Sequence, residues 1–257
     1  MTKIIAALNQ KGGSAKSVTV VNLACAFSYT KRKILVIDLD PQGSATNSLI
    51  AENREETVSL ATALVTKSPI KETILSSKFD NIDIIPSDDS LISLPVALYN
   101  EYDAYVRLKL LLKDLKQDYA FILIDTPPAL NLLTINAICA ADFAIVPVQC
   151  EFFAIESLVS LFELVEKLKQ DKVSHIEILG VLRSLYDENN PLHKEISQTL
   201  NDNFHELLLK TIIPFTQRFS EASMLGSPIM VYDRSSIGSK SYLTLAGEIL
   251  NILSKKG

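Results

Sequence analysis

The stretch Asn9-Gln10-Lys11-Gly12-Gly13-Ser14-Ala15-Lys16-Ser17 brings two glycines, two lysines and two hydroxyls together directly after the apolar run Ile4-Ile5-Ala6-Ala7-Leu8. These residue types suit a polyphosphate. Backbone N–H groups must wrap the phosphates closely, and Gly12 and Gly13 present no side chain to block that approach. Lys16 can neutralise the β and γ oxygens, and the Ser17 hydroxyl can complete a Mg²⁺ shell. Farther on stand Asp38-Leu39-Asp40-Pro41-Gln42-Gly43 and Asp125-Thr126-Pro127-Pro128. Two carboxylates such as Asp38 and Asp40 repel a triphosphate unless metal or bound water offsets the charge. Asp125 ends an apolar run, where it can hold a water of the Mg²⁺ shell or the Ser17 hydroxyl. Taken singly, the glycine loop also suits a surface turn with a solvated Lys16, and the acidic pair a solvated turn. The order of the three motifs along the chain favours the phosphate site.

The elements that must position these groups follow from hydrophobic patterning. Residues 4–8, 33–37, 121–124 and 143–148 are short, continuous apolar runs rich in β-branched residues, as strands buried on both faces require. Residues 81–86, 176–182 and 211–214 read as further strands. The apolar-periodic segment from Val18 to Phe27 predicts a helix that begins near Lys16, with its N–H groups and positive dipole end aimed at the phosphates. Apolar spacing predicts another helix from about Ala97 to Lys116, with Pro95 disfavouring helix before it. Further helices fall at 151–169, near 191–208 and at 237–254, and residues 50–80 read as small helices and loops. Strands alternating with helices argue an α/β fold, a mainly parallel twisted sheet with helices on both faces.

The loop is similar to the deviant Walker A phosphate loop of the ParA/MinD family of ATPases, with Lys11 in the place of that family's additional lysine. Ala15 departs from the family glycine; if the position needs positive φ, the methyl costs on the order of 1 kcal/mol. The motifs at Asp38 to Gly43 and Asp125 to Pro128, Pro147-Val148-Gln149-Cys150-Glu151, and Ile213-Pro214 with Arg218-Phe219-Ser220-Glu221-Ala222 extend the resemblance through nearly the whole chain. It implies a P-loop NTPase fold in a single domain over 1–257, without an N-terminal helix-turn-helix extension. It implies ATP contacts from Lys11, Gly12, Gly13, Ser14, Ala15, Lys16, Ser17, Val18 and Pro214, and Mg²⁺ held by Ser17 with Asp38, Asp40 and Asp125 through water. Catalysis would fall to Lys11, Lys16 and Asp40, with Asp40 orienting the attacking water and Lys11 reaching the nucleotide of a partner subunit. The ParA/Soj partition type further implies a homodimer in the ATP state, a ParB-like activator and non-specific DNA bound through Arg218. Arg218 also stands i,i+3 from Glu221, which suits a surface ion pair nearly as well.

Composition limits the other classes. With 257 residues, 47% of them hydrophobic, the chain can bury a substantial core as one domain. No apolar run approaches a membrane span, and the first strand leaves no room for a leader, so a cytoplasmic protein is expected, on the nucleoid when ATP-bound. Cys25, Cys139 and Cys150 are widely spaced among apolar neighbours and read as core residues; His175, His193 and His205 show no ligand spacing. A net charge of −5 means that any DNA contact comes from a local patch. Where chromosomal relatives carry a second DNA-binding arginine, this chain has Tyr186-Asp187-Glu188-Asn189-Asn190, which predicts weaker binding unless Arg183, Lys194, Arg234 or Lys240 compensates. A MinD-like division switch at the membrane is the alternative, but the apolar tail from Tyr242 with its two terminal lysines reads more simply as a helix packed on the core. A metabolic ATPase of the same superfamily, such as an amidoligase, fits the acidic and Ser-Glu-Ala stretches less well.

Overall fold

The computed structural model describes residues 2–50, 57–115 and 117–256. Among them, eight strands form one sheet: β1 (Lys3–Ala7), β2 (Ile34–Asp38), β3 (Leu75–Ser76), β4 (Ile82–Ile85), β5 (Phe121–Asp125), β6 (Phe143–Val148), β7 (Glu177–Tyr186) and β8 (Leu208–Pro214). Their order is β3-β4-β2-β5-β1-β6-β7-β8, parallel throughout except for the short edge strand β3, which pairs antiparallel with β4. This is the mainly parallel α/β architecture that the alternating pattern predicts.

Every residue of β2, β5 and β6 is buried, because helices cover both faces. Alternate strand residues feed two separate cores. Ile4, Ala6, Leu35, Ile37, Ile122 and Ile124 pack on one face, while Ile5, Ala7, Ile34, Val36, Phe121 and Leu123 pack on the other. The second face is closed by α1 (Lys16–Ser28) and the C-terminal helix, Ile237–Lys256. Phe27 of α1 stacks on Phe121, with ring centroids 4.4 Å apart. The C-terminal helix buries Tyr242, Leu245, Ala246, Ile249 and Leu253, so its apolar stripe is spent on the core. No helix of the described residues is long and apolar enough to cross a membrane.

Several boundaries differ from the sequence expectation. After α2 (Ser44–Leu49) and α3 (Leu60–Thr66), the helix expected over 97–116 is broken into α4 (Leu94–Ala97), a 3₁₀ turn at Ala104–Val106, α5 (Arg107–Leu111) and a second 3₁₀ turn at Leu112–Leu115. Pro95 lies in the first turn of α4, where its missing N–H costs nothing, so it starts a helix instead of excluding one. Arg107 accounts for the break beyond. Its side chain is buried, and it donates to the Leu64 and Val65 carbonyls at 2.8 and 3.0 Å and to Asp103 and Glu101. These contacts hold 101–107 in turns that a continuous helix would not allow. The expected end at Lys116, and residues 51–56 of the expected small helices, lie outside the described residues. Helix α6 (Leu132–Ala140) precedes β6, and α7 (Ala154–Gln170) falls on the helix expected at 151–169. Then α8 (Pro191–Phe204) stops earlier than expected because β8 starts at Leu208, and β7 runs on to Tyr186. Two short helices, α9 (Arg218–Met224) and α10 (Ile229–Tyr232), precede the C-terminal helix, α11.

Arg107→Ala leaves Asp103 with Lys67 alone, takes the cation from the half-exposed Glu101 and removes the guanidinium donors from two carbonyls. We expect a loss of about 3 kcal/mol in unfolding free energy by urea titration, and an unchanged midpoint would show that the break has another cause.

Candidate functional site

Strand pairing assembles the site. β2 and β5 run parallel in register, with Asp38 opposite Asp125, so two carboxylates emerge side by side at the carboxyl edge of the sheet. β1 is the neighbour of β5 on its other side and delivers the glycine loop to the same edge. Ligands of open parallel sheets bind in that crevice. Asn9 fastens the loop: its Oδ1 accepts the Lys11 N–H at 2.9 Å, and its Nδ2 donates to the Pro147 carbonyl of β6 at 2.7 Å. Gly13 adopts φ 75°, and Ala15 sits at φ 66°, ψ 31°, immediately before α1. Ala15 is therefore in the left-handed conformation, and its methyl carries the strain anticipated from the sequence.

A cleft of about 720 Å³ opens over the loop. Gly12, Gly13, Ser14, Ala15, Lys16, Ser17 and Val18 line it, with Asp40 and Pro128 across from them. The far wall is Phe215, Thr216 and Phe219, one to five residues past Pro214, which is not itself part of the lining. Lys11 is not part of the lining and forms an ion pair with Glu151 of the same chain. Lys16 is buried, with Nζ donating to the Lys11 carbonyl at 3.3 Å.

The three aspartates differ in what they leave free. Asp38 is fully buried, and both of its oxygens are occupied: Oδ2 accepts the Thr46 N–H and hydroxyl at 2.8 and 2.7 Å, and Oδ1 accepts the Asp40 N–H at 3.1 Å. It secures the loop between β2 and α2, and Oδ1, with one donor on it, keeps a lone pair that a metal-bound water could use. Asp125 is also fully buried; Oδ1 accepts the Thr126 N–H at 3.0 Å, while Oδ2 has no hydrogen-bond partner. An orphaned carboxylate oxygen beside the Ser17 hydroxyl and Asp40 is a hard, all-oxygen donor set, and it fits Mg²⁺.

Burial governs the protonation of the site. It pushes the Asp38 carboxyl up to about 6, against the hydrogen bonds from Thr46 and Asp40. It raises Asp125 well above the ordinary carboxylate value; Asp38 and Asp40 add to the rise, while Ser17 and Lys16 oppose it. Burial likewise lowers Lys16, with Asp125 and Asp40 pulling the other way.

The remaining candidates lie outside the cleft. Arg218 begins α9 with its side chain 53% exposed, paired to Glu221 at 2.8 Å and to Asp233 at 3.6 Å. Arg183 points inward, donating to Ser197 at 3.1 Å and to the Leu209 carbonyl at 3.1 Å, and so is not a surface cation. The Arg234 guanidinium lies over the Tyr29 ring. Sequence reasoning missed Asn9, Thr46, Phe215 and Thr216. Only Asn9 carried a local signal, as a turn former two residues before Lys11.

A strand, a glycine-bearing loop ending in Lys16-Ser17, a helix that starts on it and aspartates at the tips of β2 and β5 define a P-loop ATP hydrolase. A family model described as an AAA domain matches residues 2–178. The chain is 38% identical over 249 residues to the sporulation initiation inhibitor protein Soj of Bacillus subtilis, covering 97% of this chain and 98% of that one. It is 34% identical over 251 residues to the chromosome partitioning protein ParA of Caulobacter vibrioides, covering 97% and 94%. Among solved structures, cobyrinic acid a,c-diamide synthase from Mycobacterium smegmatis with bound ADP and magnesium superposes with a TM-score of 0.86 at 28% identity, covering 100% and 97%. The chain belongs to the family of ParA/MinD-type ATPases.

The raised carboxyls fix a sign. In the folded protein they keep protons that the unfolded chain has already released, so the contribution of Asp38 to stability falls as pH rises from about 4 through about 6, and that of Asp125 changes in the same direction. Asp125→Asn removes one buried charge. Nucleotide-free and Mg²⁺-free, the variant should be more stable than wild type at about pH 7, with the advantage shrinking as pH falls toward about 4. A pH-independent difference in urea unfolding would contradict this assignment.

Proposed function

We propose that this protein is a DNA partition ATPase. Near-full-length likeness to a protein named for chromosome partitioning, together with the loop and aspartates around one cleft, supports the reading. ATP occupies the cleft, its phosphates wrapped by residues 12–17 and its base against Phe215 and Phe219, near the expected Pro214. Mg²⁺ is held by the Ser17 hydroxyl and, through water, by Asp40 and Asp125, with Asp38 fixing the loop behind them. Lys16 neutralises the developing charge, and Asp40 orients the attacking water.

In the ATP state two copies meet across the cleft, and Lys11 exchanges Glu151 for the phosphates of the opposite subunit. The dimer binds DNA without sequence preference, on the nucleoid of a bacterial cytoplasm, and a ParB-like protein accelerates hydrolysis and release. The burial of the apolar face of α11 disfavours the MinD-like membrane alternative.

The test is binding to random duplex DNA with no nucleotide, with ADP–Mg²⁺ and with ATP–Mg²⁺, over a range of salt. Binding should require ATP, and Lys16→Ala should abolish it together with nucleotide binding. Arg218→Ala should weaken it about threefold to tenfold and reduce the salt slope by roughly one per subunit. Equal DNA affinity in all three nucleotide conditions would defeat the proposal.

A further inference from the structure

Asp40 is held by almost every polar atom it has. Its N–H donates to Asp38 Oδ1 at 3.1 Å. Its carbonyl accepts two donors, the Ser87 hydroxyl at 2.5 Å and the Gly43 N–H at 2.8 Å. Its Oδ1 accepts the Gln42 N–H at 3.0 Å. Among the described residues only Oδ2 has no hydrogen-bond partner, and Asp40 lines the cleft.

The hydroxyls behind this arrangement form a closed circuit. Thr46 gives its hydroxyl proton to Asp38 Oδ2 at 2.7 Å and accepts the Ser87 N–H at 2.9 Å on the same oxygen. Ser87 then gives its own hydroxyl proton to the Asp40 carbonyl, and the Asp40 N–H returns to Asp38. A carboxylate and a carbonyl only accept and a backbone N–H only donates, so the direction of every bond in the ring is fixed. All four residues are buried, which makes each bond stronger and each unpaired group costlier than at the surface. Ser87 lies just past β4, the neighbour of β2, so the ring ties the Asp40 backbone to a second strand of the rigid sheet. Neither Thr46 nor Ser87 is among the residues lining the nucleotide cleft.

We propose that Thr46 and Ser87 are positioning residues for hydrolysis, holding the Asp40 backbone so that its single uncommitted oxygen is presented to the water near the γ-phosphate. This rests on the reading of Asp40 as the residue that orients that water. Because Ser87 bonds Asp40 directly, Thr46 reaches it through Asp38 and Ser87, and neither lines the nucleotide cleft, their loss should alter the rate of the chemical step and leave affinity alone.

The experiment is single-turnover ATP hydrolysis with Mg²⁺ and excess full-length protein, with ATP affinity measured separately and each variant checked for folding by thermal unfolding. Ser87→Ala and Thr46→Val should hydrolyse about tenfold more slowly, with ATP affinity within about twofold of wild type. Thr46→Ser keeps the hydroxyl and should restore the rate to within about twofold. Asp40→Ala serves as the reference and should bind ATP but hardly turn it over. If Asp40→Ala is impaired while Ser87→Ala and Thr46→Val run at the wild-type rate, the positioning role is wrong. A parallel loss of affinity and rate, or no rescue by Thr46→Ser, would also overturn it. An Asp40→Ala protein with the wild-type rate would instead remove the assignment of Asp40 on which the inference stands.

Discussion

Asp38 and Asp125 face each other across the parallel pairing of β2 and β5, both without solvent exposure, and much of the site can be understood as a response to that juxtaposition. Two such charges in a low-dielectric setting repel strongly and lose their hydration. Each is compensated differently. Asp38 is offset by three donors from its own loop and α2, which makes it a structural anchor. Asp125 keeps one oxygen bare and relies on Lys16 and Ser17. A nucleotide-bound divalent cation would complete that compensation, so the bare carboxylate oxygen would contribute affinity for such a metal at a cost in stability without it.

Backbone strain accumulates around the same cleft. Ala15 and Leu185 both adopt positive φ, at 66° and 51°, and both line it. Neither has a side chain suited to that conformation, and a γ-branched residue in a strand is less suited than most. Strain that persists where the surroundings over-determine it commonly marks a working site. At Ala15 the constraint is visible: the loop must reverse direction and still aim its N–H groups into the first turn of α1. A glycine there would relax the backbone but would enlarge the unfolded ensemble, and the two effects oppose each other.

The sequence made the strands, the order of the three motifs and the phosphate loop readable because each is a local pattern. Continuous apolar runs mean buried parallel strands, and a helix that follows a glycine loop is set by the next few residues. What was not readable depends on contacts between distant segments. Nothing near Arg107 reveals that carbonyls at Leu64 and Val65 will claim its guanidinium and break a leucine-rich helix. The role of Thr46 became visible only once β4 was placed beside β2, bringing Ser87 within reach. The resemblance implies an ATP contact at Pro214, and on this side of the cleft the lining residue next to it is Phe215, where the chain leaves β8. Arg183 looked available as a surface cation until the packing of β7 under α8 turned it inward.

Charge bears on how such a chain could hold DNA. One copy carries a net charge of −5, and Arg218, the arginine proposed for DNA, is already shared between Glu221 and Asp233. Exposed ion pairs of this kind contribute little and exchange partners readily, so a phosphate can displace a carboxylate, but the gain per contact is small. Non-specific binding free energy grows with the number of phosphates neutralised together. A single copy offers few such contacts, whereas a face-to-face pair, if it forms as proposed, would double them on one rigid body and gain the second set at high effective concentration. Weak individual contacts would then be useful, because affinity would rise steeply on pairing and collapse on separation. Under the proposed cycle, an arginine held between two carboxylates would suit a surface that lets DNA go when the subunits part, and a stronger, unpaired cluster of cations would blunt that switch.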